Sequence, residues 1–286
     1  MRKPQKARLF PPSVFRTARR ALIYAVLVLG GLTMILPFYW MITTSLKTPD
    51  EVVMLPPQWI PPSWKWGNYR VAWEAAPFGR YLLNSMIVTL LSTLGELITS
   101  ILAAFAFAQL RFYGRELLFS LLLATMMIPG EILLTPNFVT LTELGWIDRY
   151  EALIVPWTAS VFAIFLFRQY FLGIPEELYA AARIDGSGDF TYLWRIMVPL
   201  AGPVIITSGL IKVIGSWNAF LWPLIVTNSA EMRTLPVGLT AFVYDTGKNY
   251  ELLMAASSMI ILPMIALYLS MQKYVVEGIA RTGIKG

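Results

Sequence analysis

Apolar residues in this chain fall in long unbroken runs, not in the alternation of a half-buried strand or the narrow stripe of a surface helix. Six runs stand out, at about 21–44, 82–110, 117–136, 153–171, 200–227 and 252–274. Each is near or above the roughly 20 residues that cross a bilayer as a helix. The pattern predicts an all-α polytopic membrane protein with six transmembrane helices and both termini on one side. Pro37 sits inside the first run as a tolerated kink. That run is too long for the apolar stretch of a secretory leader and lacks a small-x-small cleavage site, so it reads as a span. The chain divides into a basic segment at 1–20, a six-span body at 21–277 and a tail at 278–286.

Between the fourth and fifth runs lies a polar-flecked segment, 173–200, that keeps helical character. Pro175 stands at a helix start with Glu176 and Glu177 in the first turn, where the positive end of the helix dipole favours acids. Leu178, Ala181, Ala182 and Asp185 follow at i, i+3, i+4 and i+7. Gly186-Ser187-Gly188 breaks this helix. Asp189 is the expected N-cap of a second short helix over 190–198, which Pro199 ends. The segment reads as helix, turn, helix at a membrane surface.

Charge orients the body. With the N-terminus inside, fifteen of the 23 lysines and arginines fall on that side and seven on the other, while Lys212 lies within a span. The positive-inside rule therefore puts segment 173–200 in the cytoplasm. The net charge of +6 needs only anionic inner-leaflet lipid as a partner and no nucleic acid. A mean hydropathy of +0.61, with 57% hydrophobic residues, fits a chain dissolved in lipid. With no cysteine and no histidine, the chain has no disulfide, no thiolate nucleophile and no common zinc site. Its scattered carboxylates form no nucleophile–base set, which argues against a membrane enzyme.

The outer segments differ in kind. Residues 47–80 are rich in proline and carry Trp59, Trp64, Trp66 and Trp73. An interfacial aromatic belt accounts for them, and a docking surface for an extracytoplasmic partner is compatible with it. Residues 228–251 form a second outer loop, with turn residues at Asp245-Thr246-Gly247.

Ala180-Ala181-Ala182, then Gly186 after three residues, then Ile196-Met197-Val198-Pro199 after nine more, stand at the spacing of a signature written E-A-A, three residues, Gly, nine residues, I-x-L-P. The segment resembles the cytoplasmic loop of binding-protein-dependent ABC importer permeases. Val198 replaces leucine. Ala180 replaces a glutamate that in the family helps hold the loop to the ATPase, although Glu176 and Glu177 lie one turn earlier. The stretches ARIDGSG (182–188), GSWNAFLWPLIVT (215–227) and QKYVVEGIARTGIKG (272–286) are similar to the carbohydrate-uptake branch, specifically the six-span maltose-type permease partner subunit.

The resemblance implies a type I ABC importer fold with a coupling-helix loop. It implies a second permease subunit forming a heterodimer, two cytoplasmic ATPases and an extracytoplasmic sugar-binding protein in a prokaryotic cell membrane. The coupling residues would be Glu177, Ala180, Ala181, Ala182, Asp185, Gly186 and Pro199. No G-x-x-x-x-G-K-[ST] occurs, so ATP and Mg belong to the partner ATPase and this chain binds no cofactor. The tail at 282–286 resembles a family tail that reaches between the ATPases, the plainer alternative being a frayed end.

Ionisable groups at membrane depth are costly and default to paired or functional roles. Glu96 and Lys212 sit near the middle of the second and fifth runs and are expected to face protein or water as an ion pair. Sugar recognition calls for hydrogen-bonding side chains and an aromatic face. Glu131, Asn137, Trp217, Asn218 and Trp222 are the best such set, with packing as the competing role for the tryptophans. A glycerol-phosphate cargo is the alternative within the importer class, and an ATP-independent secondary transporter the alternative outside it.

Overall fold

The computed structural model describes residues 12–244 and 249–283, all of it helix, turn or coil. Segment 1–11, the turn at Asp245-Thr246-Gly247 and the last three residues of the tail lie outside the described residues. Helix α1 (Pro12–Ser45) lies against the last helix of the chain. From Arg19 to Tyr39 every position is exposed, including Leu22, Leu29 and Ile35. Beyond Arg19 and Arg20 this exposed surface is almost wholly apolar, and it is stable only where the surrounding solvent is itself apolar.

Burial begins abruptly at Thr43. The Lys47 side chain is fully buried, with Nζ donating to Gln58 O at 2.6 Å and lying 4.1 Å over the Trp40 ring. Burial pushes its ammonium below the ordinary lysine value, an effect Glu51 partly offsets. Short helices α2 (Pro49–Val53) and α3 (Gly67–Glu74) complete this outer segment. Thr48 and Glu51 form a reciprocal capping box at the start of α2. Asn68 Nδ2 donates to Ser45 O and Lys47 O, both at 2.8 Å, which ties α3 back to the end of α1.

Helix α4 (Phe78–Gln109) is the mast of the molecule. It contributes to three buried apolar clusters: Phe78 and Tyr81 to one, Val88 to a second, Ile101, Ala104 and Phe105 to a third. Between them a polar line of buried side chains, Asn84, Ser85, Thr89, Ser92, Glu96 and Ser100, recurs at helical spacing.

The next run is not one rod. Helix α5 (Arg115–Thr125) is followed by a 3-10 turn at Gly130–Leu133 and by α6 (Leu134–Glu143), and the two parts meet at 90°. The run at 117–136, expected as a span, is thus broken into this bent pair. Pro129 takes an extended ψ of 130° and so cannot continue the helix.

The fourth run is also interrupted. Helix α7 (Tyr150–Ile154) passes into a 3-10 turn at Val155–Trp157 before α8 (Val161–Leu172), which Ser160 N-caps by accepting from Ala163 N at 3.2 Å. Then come α9 (Glu176–Ile184) and α10 (Asp189–Tyr192). A wide π turn at Leu193–Met197 and α11 (Val198–Leu200) carry the helix through Pro199 instead of ending at it. The π turn absorbs the clash of a proline ring with the preceding turn, so the expected stop at Pro199 moves to Ala201.

Helix α12 (Gly202–Trp217) leaves this segment at 79°. Helices α13 (Leu221–Val226), α14 (Leu235–Gly238) and α15 (Ala241–Tyr244) lead to α16 (Tyr250–Gly283). Among the described residues, α1, α4, α16 and the interrupted stretch Tyr150–Leu172 are long and apolar enough to cross a membrane, and up to six spans result if each bent pair counts as one.

Candidate functional site

Two features are built around α4. The first is a cavity of about 560 Å³ between α4, the α5–α6 bend, the break before α8, and α12–α13. Glu96 and Lys212 both line it, with Oε2 and Nζ 2.7 Å apart and side chains 9% and 13% exposed. Lys212 Nζ also donates to Trp157 O at 2.8 Å. Ser92 and Ser216 hydroxyls meet at 3.3 Å one turn from this pair. A charge pair with a third polar partner is what keeps two ions tolerable at that depth.

Glu131, on the 3-10 turn of the bend, lines the same cavity. So does Trp222, which is nearly buried and whose indole N–H donates to Ala152 O at 2.9 Å. The other three sequence candidates lie elsewhere. Trp217 is buried against α16 and donates to Ile260 O at 3.2 Å. Asn218 Nδ2 closes the end of its own helix on Ile214 O at 2.8 Å. Asn137 is exposed on α6 and is not part of the cavity wall.

Among the wall residues that sequence reasoning missed are Trp157, Ser160, Ser208, Phe162 and Phe220. For Trp157 and Ser160 the signal was Val155-Pro156-Trp157 followed by Thr158 and Ser160. Such a cluster interrupts a helix and leaves its backbone facing something polar.

The second feature is the α9 turn. Its inner face is Tyr179 and Ala182, with Ala182 buried in the cluster of Phe171, Tyr192 and Met197. Tyr179 OH donates to Asp189 Oδ1 at 2.7 Å, so Asp189 serves α9 and not as the expected N-cap, a position Gly188 holds. That hydrogen bond, with some burial, raises the tyrosine above its ordinary value. Gly186, at φ +77°, closes α9: its N–H reaches Arg183 O at 3.1 Å and Ser187 N–H reaches Ala182 O at 2.8 Å. These two bonds are a Schellman cap, and the left-handed φ is the reason for glycine. Glu177, Ala180, Ala181, Ile184, Asp185 and Gly186 are left on the open face. The buried line runs through Tyr179 and Ala182, so of the face expected through Leu178, Ala181, Ala182 and Asp185 only Ala182 is buried. Pro199, two helical segments on, is exposed as well.

Residues 96–281 match the family model described as "Binding-protein-dependent transport system inner membrane component". The chain belongs to this family. It is 36% identical over 275 residues to the arabinooligosaccharides transport system permease protein AraQ of Bacillus subtilis, covering 95% of this chain and 98% of that one. To the sn-glycerol-3-phosphate transport system permease protein UgpE of Yersinia enterocolitica it is 33% identical over 264 residues, 90% and 94% of the two chains. Its fold matches a chain of a bacterial ABC transporter involved in the import of the acidic polysaccharide alginate, with a TM-score of 0.81 over 94% of this chain and 99% of that chain at 24% identity. The α9 turn and the cavity thus belong to a permease component of an ABC importer, a membrane protein by both family and apolar helices.

Proposed function

We propose that this chain is the membrane half-channel of an ATP-driven importer of uncharged oligosaccharides. A second permease subunit completes the heterodimer, two cytoplasmic ABC ATPases supply the work, and an extracytoplasmic sugar-binding protein delivers cargo. ATP and Mg are bound on the ATPases. The body extends over 21–277, with both termini and the coupling loop 173–200 on the cytoplasmic side.

The observation that carries this reading is α9: a nine-residue helix with Ile184 86% exposed, held rigidly from beneath by Tyr179 and Ala182. An exposed helix so firmly mounted fits a push delivered from outside this chain. Glu177, Ala180, Ala181, Asp185 and Gly186 would meet the ATPase, while buried Ala182 and the helical segment through Pro199 would transmit its movement to α12. The small alanine side chains permit close backbone approach.

Cargo class is supported by two observations. One relative transports arabinooligosaccharides by name, and Lys212, the cation of the cavity wall, is already committed to Glu96 and Trp157 O. The UgpE likeness favours sn-glycerol 3-phosphate as a second reading, but that anion would find no uncommitted cation among the wall residues.

The chain lacks cysteine, so Ala181→Cys gives a single crosslinking handle. Crosslinks to a co-purifying ATPase, and ATP hydrolysis that rises with a sugar-loaded binding protein, are expected. A position 181 that reacts only with reagents outside the cell would overturn the reading.

A further inference from the structure

The break in the fourth span has a second role. Carbonyls released from a helix at membrane depth need partners, because lipid offers none. Here two neighbouring helices supply them: Thr99 Oγ1 donates to Thr158 O at 2.6 Å from α4, and Lys212 Nζ to Trp157 O at 2.8 Å from α12. Gly95 allows the approach, since a Cβ there would lie 2.7 Å from Thr158 Cγ2. The fastening holds a particular side chain in place. Trp157 lines the cavity, is 42% exposed, and meets Trp222 edge-on at 6.0 Å. Glu131 lines the same cavity, and its carboxylate has no hydrogen-bond or ion-pair partner among the described residues.

We propose that Trp157 is a sugar-stacking residue of this permease, with Glu131 accepting from cargo hydroxyls and Lys212 acting as the positioning residue that holds the indole at the wall. The apolar face of an uncharged sugar ring packs on an indole, and its hydroxyls suit a carboxylate acceptor. An anionic sugar would instead meet Glu131 with the wall's cation already neutralised. The assignment rests on the importer reading above.

The test uses the complete importer in liposomes, with ATP inside and radiolabelled neutral oligosaccharides outside. Trp157→Phe keeps an aromatic face, while Trp157→Leu keeps bulk without one. Uptake with Phe should stay within about threefold of the native transporter, whereas Leu should lose roughly tenfold, equivalent to about 1.4 kcal/mol. Glu96→Gln with Lys212→Met removes the fastening without stranding a charge. If Lys212 acts through Trp157, adding Trp157→Leu to that pair should cause little further loss. Equal uptake by Phe and Leu variants would overturn the proposal. So would strictly multiplicative losses, or failure of both Trp157→Leu and Trp157→Met to assemble, which would mark the indole as packing. A native assembly that imports no sugar would instead sink the importer reading itself.

Discussion

Deleting one member of the Glu96–Lys212 pair should cost far more than deleting both. The separation of 2.7 Å gives an attraction of about 6 kcal/mol at an effective dielectric near 20. Desolvation of two nearly buried groups offsets much of that, so the pair adds little net stability over an apolar pair. A single Lys212→Met change strands a buried carboxylate and an unpaired carbonyl at Trp157. The expected loss is about 3–5 kcal/mol. Glu96→Gln strands the ammonium, although Trp157 O still accepts from it, so the loss should sit near the lower end. The double variant removes both charges and leaves mainly the Trp157 carbonyl, about 1–3 kcal/mol. The cycle should therefore show a coupling energy of about 5 kcal/mol, and not less than about 3. Denaturant or thermal unfolding of the detergent-purified importer, followed by co-purification of its subunits, measures the three variants against the native chain. Single effects that add to the double within about 0.5 kcal/mol would refute the reasoning, because they would mean the two groups do not sense each other.

Gly186→Ala forces a side chain into φ +77° and should loosen the α9 cap by about 1–2 kcal/mol, read as roughly tenfold faster hydrogen exchange at the Gly186 and Ser187 amides. Gly95→Val should drive α4 away from Thr158 and cost about 1–3 kcal/mol in overpacking, seen as a lowered unfolding midpoint, whereas Gly215→Ala, with open space at its Cβ, should not. Asp148 accepts from the backbone N–H groups of Asn228 and Ser229 at 2.9 and 3.0 Å. Burial alone would push its carboxyl up, but those donors hold it below the ordinary 3.8. Its contribution is therefore complete above pH 3.8 and lost as pH falls through the lower folded value. Asp148→Asn should increase proteolysis of loop 226–229 at pH 7, and the difference from the native chain should vanish in stronger acid.

Much of this molecule could be read from local pattern. The apolar runs located every long helix, and Glu96 and Lys212 declared themselves because charge within such runs demands a partner. Gly186 and the alanines of α9 were legible for the same reason, since cap and helix obey nearest-neighbour rules. What escaped were interruptions whose satisfaction is tertiary. Pro129, Pro156 and Pro199 look alike in a linear text, yet the first bends a span by 90°, the second opens a wall of the cavity, and the third is passed by a π turn. Which outcome follows depends on what lies opposite the freed backbone groups, here Thr99 and Lys212 on other helices. Likewise Trp217 and Trp222, five residues apart, differ in role because α16 covers one and the cavity reaches the other.

The two functional features are joined by a single rigid element. Helix α8, at twelve residues, spans about 18 Å. At one end Phe167 and Phe171 pack in the cluster that holds Ala182 of α9, and Arg168 is locked to both Glu116 oxygens, to Phe107 O and over the Phe119 ring. At the other end lies the break, with Trp157 and Thr158 bonded to α12 and α4. A displacement of α9 therefore cannot be absorbed locally, since close-packed side chains pass it to α8. The non-helical residues between Trp157 and Val161 are where the chain can bend, and they sit beside the cavity. The Lys212–Trp157 and Thr99–Thr158 contacts fasten this bend to α12 and α4, so a push on α9 of the kind proposed would load both. If the proposed ATPase docks on α9, crosslinking it to position 181 through Ala181→Cys while following the environment of residue 157 by fluorescence would place the two events in order, and a cavity wall indifferent to the state of α9 would break this chain of reasoning at α8.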